Sequence, residues 1–438
     1  MSLSVALNNA FAGLRVSQAG TEVASSNISN AQDPNYTRKV LQHSSHSSTG
    51  LSGPYIEGVE RRVADRIAED VRSLTSQASG NETRAETAER LGEMLNIDAD
   101  NPRLMQLFSD FETALRDFEA TPENNTMATR VISTADALAK EVNHLYAQTE
   151  SMEGEMREEV GKSVDHLNDK LLEIEKLNKE IASTKASGET VGNLEDRRDA
   201  AIKEVSGLVD TRVLMDEQGR AQVYTSSGTQ LVGISAQQFS WDGDDIIKEN
   251  DGSTVTNAFK DGEVGARVRM LDDTLAGNND PAAGTIQKLK DQLNGLAVDL
   301  RTTVNDAYGG AGDIFFQTPA APGAGTLQVK PAILNGTEAL QNDAGGTVSQ
   351  ALIDDNIGGQ LGGIIENTAS FKAESKHNLE NATASRDALE AKFRGKVGVD
   401  VDQEMADLIA LQNAYAANAR VMQTVSDMMD TLMNAVAR

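Results

Sequence analysis

With no cysteine, five histidines are the only imidazole or thiolate metal ligands this 438-residue chain can offer. His43 and His46 stand three apart in the run His43-Ser44-Ser45-His46-Ser47-Ser48, a spacing a metal could use on a helix, but no third ligand lies near and a metal site needs convergent donors. That run reads as a polar loop. His144, His166 and His377 are isolated on helical patterns. Asp242-Gly243-Asp244-Asp245 gathers carboxylates in a turn, yet it lacks the ligand spacing and closing glutamate of a calcium loop and reads as a solvated β-turn. Gly309-Gly310-Ala311-Gly312 follows a helix, where a phosphate loop precedes one and carries a lysine at a fixed offset. No Gly-x-Ser-x-Gly elbow or nucleophile–base pair stands out. With no cysteine, thiol catalysis, zinc–thiolate sites, iron–sulfur clusters and disulfides all fall away. The expectation is a protein that is not an enzyme and uses no metal or cofactor.

The formal net charge of −27 points the same way for polyanionic partners, because such a surface repels phosphate backbones and anionic lipid. Neither nucleic acid nor membrane is an expected partner. The N-terminal segment has its first cation at Arg15 and is interrupted by Asn8 and Asn9, so it does not read as a secretory signal, and no run of eighteen apolar residues occurs. Aromatic residues make up only 4% of the chain, which suits helices packed through aliphatic seams better than a large β core.

Those seams organise the sequence. Near the start Leu3, Leu7, Ala10, Leu14, Ala24 and Ile28 alternate by fours and threes, with Ser17 and Thr21 filling the polar gaps. At the other end Leu408, Leu411, Tyr415, Asn418, Met422, Val425, Met429, Leu432 and Val436 form a cleaner stripe, whose single asparagine is the kind of seam residue that fixes register. These terminal helices need partners: the body of their own chain, each other, or neighbouring subunits. Asn101-Pro102 predicts a helix start, and a long stripe from Val131 to Ile181 predicts one helix on the order of 80 Å. A charged helix is expected at 194–207. Alternating β-formers after Asp210, around Glu217-Gln218-Gly219-Arg220, predict a hairpin with a third strand that the 239–247 segment continues. Helical periodicity returns over 264–275 and 284–308, loops and a few strands are expected at 309–353, and helix again after Asp355.

The fold class is therefore mainly α with β insertions (α+β), an elongated helical rod with terminal coiled-coil helices. The terminal assembly region comprises 1–60 and 398–438. The rod comprises 61–208, 262–308 and 355–397, and a β-rich outer insertion comprises 209–261 and 309–354.

Ser25-Ser26-Asn27-Ile28-Ser29-Asn30 followed by Pro34-Asn35-Tyr36-Thr37-Arg38 resembles the N-terminal signature of the flagellar axial family, the rod, hook and hook-associated proteins. Asn35 stands where that signature usually has glycine. Asp402-Gln403-Glu404-Met405-Ala406-Asp407-Leu408-Ile409 and Gln412 to Arg420 are similar to the family's C-terminal boxes. In the middle, Asn193-Leu194-Glu195-Asp196-Arg197-Arg198-Asp199 and Gly312-Asp313-Ile314-Phe315-Phe316 resemble the hook–filament junction branch, with Arg197 and Asp199 as motif positions beside Asn27, Asn30, Pro34, Tyr36, Thr37 and Arg38. The resemblance implies a structural adaptor between hook and filament, exported through the flagellar type III apparatus to the outside of the cell. It also implies terminal helices packed as an inner layer of a ring. The partners it implies are further copies of the chain, the hook protein, the third hook-associated protein, and an export chaperone on the C-terminal helix. The chain is short for that branch, so an outer domain is expected to be reduced or missing. Read from the residues alone, a soluble coiled-coil binding or signalling module stays open, as does another axial protein.

Overall fold

The structure, a computed structural model, describes residues 3–48, 51–272, 283–309, 315–317, 323–341 and 344–436. It opens with helix α1 (Leu3–Ser29), then a hairpin of β1 (Lys39–Ser48) and β2 (Leu51–Arg61). Helices α2 (Asp65–Leu95), α3 (Arg103–Ala120), α4 (Asn125–Ala186) and α5 (Gly192–Leu208) follow. Two three-stranded antiparallel sheets come next, β3 (Arg212–Met215), β4 (Ala221–Tyr224) and β5 (Gln230–Val232), then β6 (Phe239–Trp241), β7 (Ile246–Lys248) and β8 (Ser253–Thr254). The chain continues through α6 (Gly262–Leu271), α7 (Thr285–Tyr308), the short pair β9 (Phe316–Gln317) and β10 (Gln328–Val329), and α8 (Pro331–Leu334). It closes with α9 (Ala344–Asp354), α10 (Ile357–Val397) and α11 (Val401–Val436).

The spine is α4, 62 residues long and therefore about 93 Å from end to end. No proline occurs between Pro122 and Pro281 to break it, and the Asn124 side chain caps its start by accepting from the Thr126 N–H at 2.9 Å. Its stripe, from Val131 through Val142, Met152, Val160 and Ile174 to Ile181, is buried along the whole length. Helices α3, α5, α6 and α7 pack against successive parts of that face, and α10 runs along α2. Helix α3 begins one residue later than the sequence suggests, because Pro102 takes an extended backbone (φ −55°, ψ 139°) and so precedes the helix.

Small β elements need their edge N–H and C=O groups satisfied where they lie against helices, and asparagine supplies this repeatedly. Asn178 on α4 donates from Nδ2 to the Ala221 carbonyl at 2.8 Å and accepts from the Ala221 N–H at 2.9 Å, as a neighbouring strand would. Asn168 clips Phe239 in the same way, at 2.7 and 2.9 Å. Asn305 on α7 holds the Phe316 carbonyl at 2.7 Å and accepts from the Phe315 and Phe316 N–H groups at 2.8 Å each. Asn178→Leu should cost about 2–5 kcal/mol, because two backbone groups of β4 lose their partners inside the protein. A urea titration with hydrogen exchange at Ala221 checks it.

Three expectations need correction. Residues 39–61 form a hairpin, so the 1–60 region is not wholly helical, and His43 and His46 lie on a strand and not in a loop. The serine-rich pattern hides this, since only Val40 and Leu41 of β1 are apolar. The 239–247 segment begins a second sheet and does not extend the first. Within 309–354 the described residues carry α8 and α9, and α9 packs on α3 and α7, so this stretch joins the helical body. Gly310 to Ile314 lie outside the described residues, as do 273–275 of the helix expected at 264–275, which ends at Leu271.

Candidate assembly interface

Helices α1 and α11 pair along their length. Gly13 faces Asn418 and Gly20 faces Leu411, while Asn27 meets Glu404. Each step of seven forward on α1 is a step of seven back on α11, so the helices run antiparallel in a heptad register. The seam on α1 is built from small residues: Ala10, Ser17, Gly20, Ala24 and Asn27 are buried. A Cβ added at Gly20 would sit 2.8 Å from Leu411 Cδ2, and one at Gly13 would sit 2.6 Å from Asn418 Nδ2. The helices therefore approach closely over glycine and alanine. The expected seam residues Leu3, Leu7, Leu14 and Ile28 are instead half-buried; Leu7, Leu14 and Ile28 each lie one position off the small-residue seam, and Leu3 stands at its outer end.

On α11 the stripe divides. Val425 is buried, and Leu408, Leu411, Asn418 and Met422 are half-buried. Tyr415, Met429 and Leu432 stay 47%, 42% and 52% exposed, and the Val436 side chain lies outside the described residues. Ile409, Val421, Met428 and Met433, each one residue off the stripe, are also exposed, as is Met405 ahead of it. By the observed register Leu3 stands opposite Met428, so the last turns of α11 overhang the described part of α1. Among the described residues, α11 carries apolar side chains that α1 leaves exposed.

The signature residues meet at the foot of this pair. Asn27, 1% exposed, donates to the Lys39 carbonyl at 2.9 Å and to Glu404 Oε2 at 3.0 Å. Its Oδ1 accepts from Tyr36 OH and from the Lys39 N–H, both at 3.0 Å. This is the same asparagine clip, now fastening β1 to α1. Arg38 donates from Nε to Glu404 at 2.5 Å and from Nη2 to Asp407 at 3.1 Å, tying the turn to α11. Its N–H also donates to the Val397 carbonyl at the end of α10. Asn30 caps back onto the Ser26 carbonyl at 2.8 Å, and Pro34 is exposed in the turn. Asn35 keeps an ordinary backbone, since the non-glycine residues with positive φ among those described are Asn96 and Asn356; its N–H donates to Asp33. Asparagine thus fits without a left-handed turn.

A second network fastens the hairpin to α5. Thr37 donates to Asp196 Oδ1 at 2.5 Å and Lys39 Nζ reaches Asp196 Oδ2 at 2.8 Å while lying 3.5 Å from the centre of the Tyr36 ring. Arg61 bridges Glu195 at 3.0 Å and Asp199 at 2.6 Å. Burial works against the Arg61 charge, but the Asp199 and Glu195 carboxylates outweigh it and hold its pKa above the usual value. Of the paired arginines in this motif, Arg197 is exposed. Arg198 is the buried one, donating to the Gly219 carbonyl at 2.6 Å and Asn178 at 3.4 Å, with its pKa lowered mainly by burial. Glu195, Asp196 and Arg198 stand inside the 193–199 motif without being marked as its positions, and Lys39 and Arg61 lie outside every motif. Lys39 adjoins the end of the N-terminal motif at Arg38, while Arg61 carries no sequence signal.

No group of three or more His, Cys, Asp or Glu side chains converges to hold a metal among the described residues, and no described helix is long and apolar enough to cross a membrane. The 242–245 turn is held by Asp242, which accepts from the Asp244 and Asp245 N–H groups, and by Arg157 on Asp244.

Residues 88–314 match the model of the flagellar hook-associated protein FlgK helical domain, and 396–435 match the flagellar basal body rod FlgEFG protein C-terminal model. Flagellar hook-associated protein 1 of Escherichia coli K12 is 26% identical over 370 residues, 80% of this chain and 65% of that one. The protein of the same name from Bacillus subtilis 168 is 20% identical over 99% of both chains. The flagellar hook junction protein FlgK structure from Burkholderia pseudomallei aligns over 57% of this chain and 46% of its own, with 20% identity and a TM-score of 0.48. The chain thus spans about two thirds of the length of the Escherichia coli relative.

Proposed function

This chain belongs to the flagellar hook-associated protein FlgK family, and we propose that it is a structural subunit at the junction between hook and filament. In this reading the chain leaves the cell through the flagellar type III apparatus and then packs with further copies through its terminal helices. It contacts the hook protein on one side and the third hook-associated protein on the other. The observation that carries the reading is the apolar surface of α11, which exceeds what α1 covers. Each large apolar side chain on it gains about 1.5–3 kcal/mol when fully buried. Before export the same face calls for a chaperone, since an uncovered stripe of this extent invites premature association.

The test uses Met422→Lys and Leu432→Lys. Leu432 is 52% exposed in the single chain, so the charge leaves the body folded while it blocks burial against a neighbour. Both variants should be secreted but absent from hook tips when they replace the parent. Variants that support filaments like the parent would remove the seam from the mechanism.

A further inference from the structure

The helical body is interrupted at one level. Helix α2 ends at Leu95, Asn96 follows in the left-handed conformation (φ 54°), and α3 starts only at Arg103. Arg90 of α2 pairs with Glu155 of α4, and Arg103 of α3 pairs with Glu141, so the interruption faces the 141–155 stretch of α4. On the side nearer the terminal pair α2 packs with α5 and α6, and on the far side α3 packs with α9. Among the described residues α4, α7 and α10 are the helices that run past this level. Lys290 of α7 pairs with Glu153 of α4, and Gln360 of α10 donates to Asp299 of α7 at 3.0 Å, which brings the three together there.

Each of the three carries glycine at this height: Gly154 on α4, Gly295 on α7, and Gly362 and Gly363 on α10. No neighbouring atom lies within 4 Å of the place a Cβ would take at any of the four, so close packing does not call for glycine. What glycine does at such a position is weaken the helix and let it bend. The core here suits bending. Met152 and Met156 are buried on α4, and Met94 Sδ lies 3.8 Å from Thr149 Oγ1. Unbranched thioether side chains refill a changing gap more readily than branched ones. Beside them a groove enclosing about 750 Å³, mouth included, opens between α2, α7 and α10, with Leu91, Leu289 and Phe371 on its walls. Lys288 on α7 and Glu374 on α10 also line it, and neither has an ion pair among the described residues.

We infer that the body is hinged at this level and moves between the open form seen here and a bent form in which the groove closes and Lys288 meets Glu374. The break between α2 and α3 removes the stiffest connection across the hinge, and the glycines soften the three helices that remain. The inference stands on the single chain and not on the assembly reading. For a subunit with a different neighbour at each end, such a joint lets one end follow its neighbour without straining the other.

The absence of cysteine makes the test clean. Spin labels go on Asp306→Cys of α7 and Lys376→Cys of α10, both exposed and on opposite sides of the hinge. Pulsed double electron–electron resonance on the full chain should give two distances between them, the shorter belonging to the bent form. Adding Gly154→Ala, Gly295→Ala, Gly362→Ala and Gly363→Ala should leave the longer distance alone and raise Tm, since alanine fits at all four and stiffens the helices. Lys288→Glu should lower the bent population about two- to threefold, and Glu374→Lys in the same chain should restore it. One narrow distance in the parent chain, unchanged by the four alanines, would overturn the hinge and leave the junction role untouched. A bent population indifferent to both charge changes would overturn the closing of this groove.

Discussion

Asn27→Leu should free the terminal helix pair from the rest of the molecule. Leucine is close to asparagine in size, so the change removes hydrogen bonds more than volume. It strands the Lys39 N–H and C=O and one oxygen of Glu404 in a site where Asn27 is 1% exposed, and leaves the Tyr36 hydroxyl with Ser26 Oγ alone. At about 1–3 kcal/mol for each group left unsatisfied, and allowing for relaxation, a loss of about 3–5 kcal/mol is expected, concentrated at the joint. Limited proteolysis should cut in 30–38 and near 398–400 much faster than in the parent, while the helical body melts as before. Unchanged cleavage at both places would show that the clip does not hold the joint. Arg38→Ala should do less, because one of its two partners, Asp407, is 51% exposed and its pairing is weakened by solvent.

Gly20→Leu should open the pair itself. The close approach of α1 and α11 depends on the missing side chain at Gly20, where even a Cβ would come within 2.8 Å of Leu411. A leucine there has to displace both Leu411 and the helix that carries it, and overpacking of this kind costs about 1–3 kcal/mol or more. That cost is large for two helices held by a narrow seam of alanine, serine and glycine. Amide exchange in α11 beyond Leu411 should accelerate, and the variant should fail to build junctions. Gly362→Ala is the control, since nothing lies within 4 Å of its Cβ position; it should leave the pair closed and raise helix stability slightly. Slow exchange in α11 of Gly20→Leu would mean that the seam has room the structure does not show.

The contrast between these two sites shows what a sequence can reveal. The α4 stripe was legible because large aliphatic residues recur at helical spacing and every turn buries one. The α11 stripe was legible for the same reason. On α1 the stripe read from sequence coincides with the seam at Ala10, Ser17 and Ala24 and runs one residue off it at Leu7, Leu14 and Ile28, since glycine carries no apolar signal and the neighbouring leucines do. Only the partner helix shows that closeness, and not apolar bulk, is what α1 supplies. The signature residues Asn27, Tyr36, Thr37 and Arg38 are visible as a pattern, but their work depends on Glu404, 377 positions from Asn27, and on Asp196, 159 positions from Thr37. Likewise Arg197 and Arg198 are indistinguishable in sequence, and only packing sends one into solvent and the other against Gly219. The hairpin of 39–61 stayed hidden because its first strand is mostly serine, histidine and glutamine.

The junction role is tested most directly by electron microscopy of cells lacking this gene, together with an assay for flagellin in the medium. The account predicts bare hooks with flagellin secreted but unpolymerised, restored to full filaments by the parent chain. Normal filaments in the absence of the gene would contradict it.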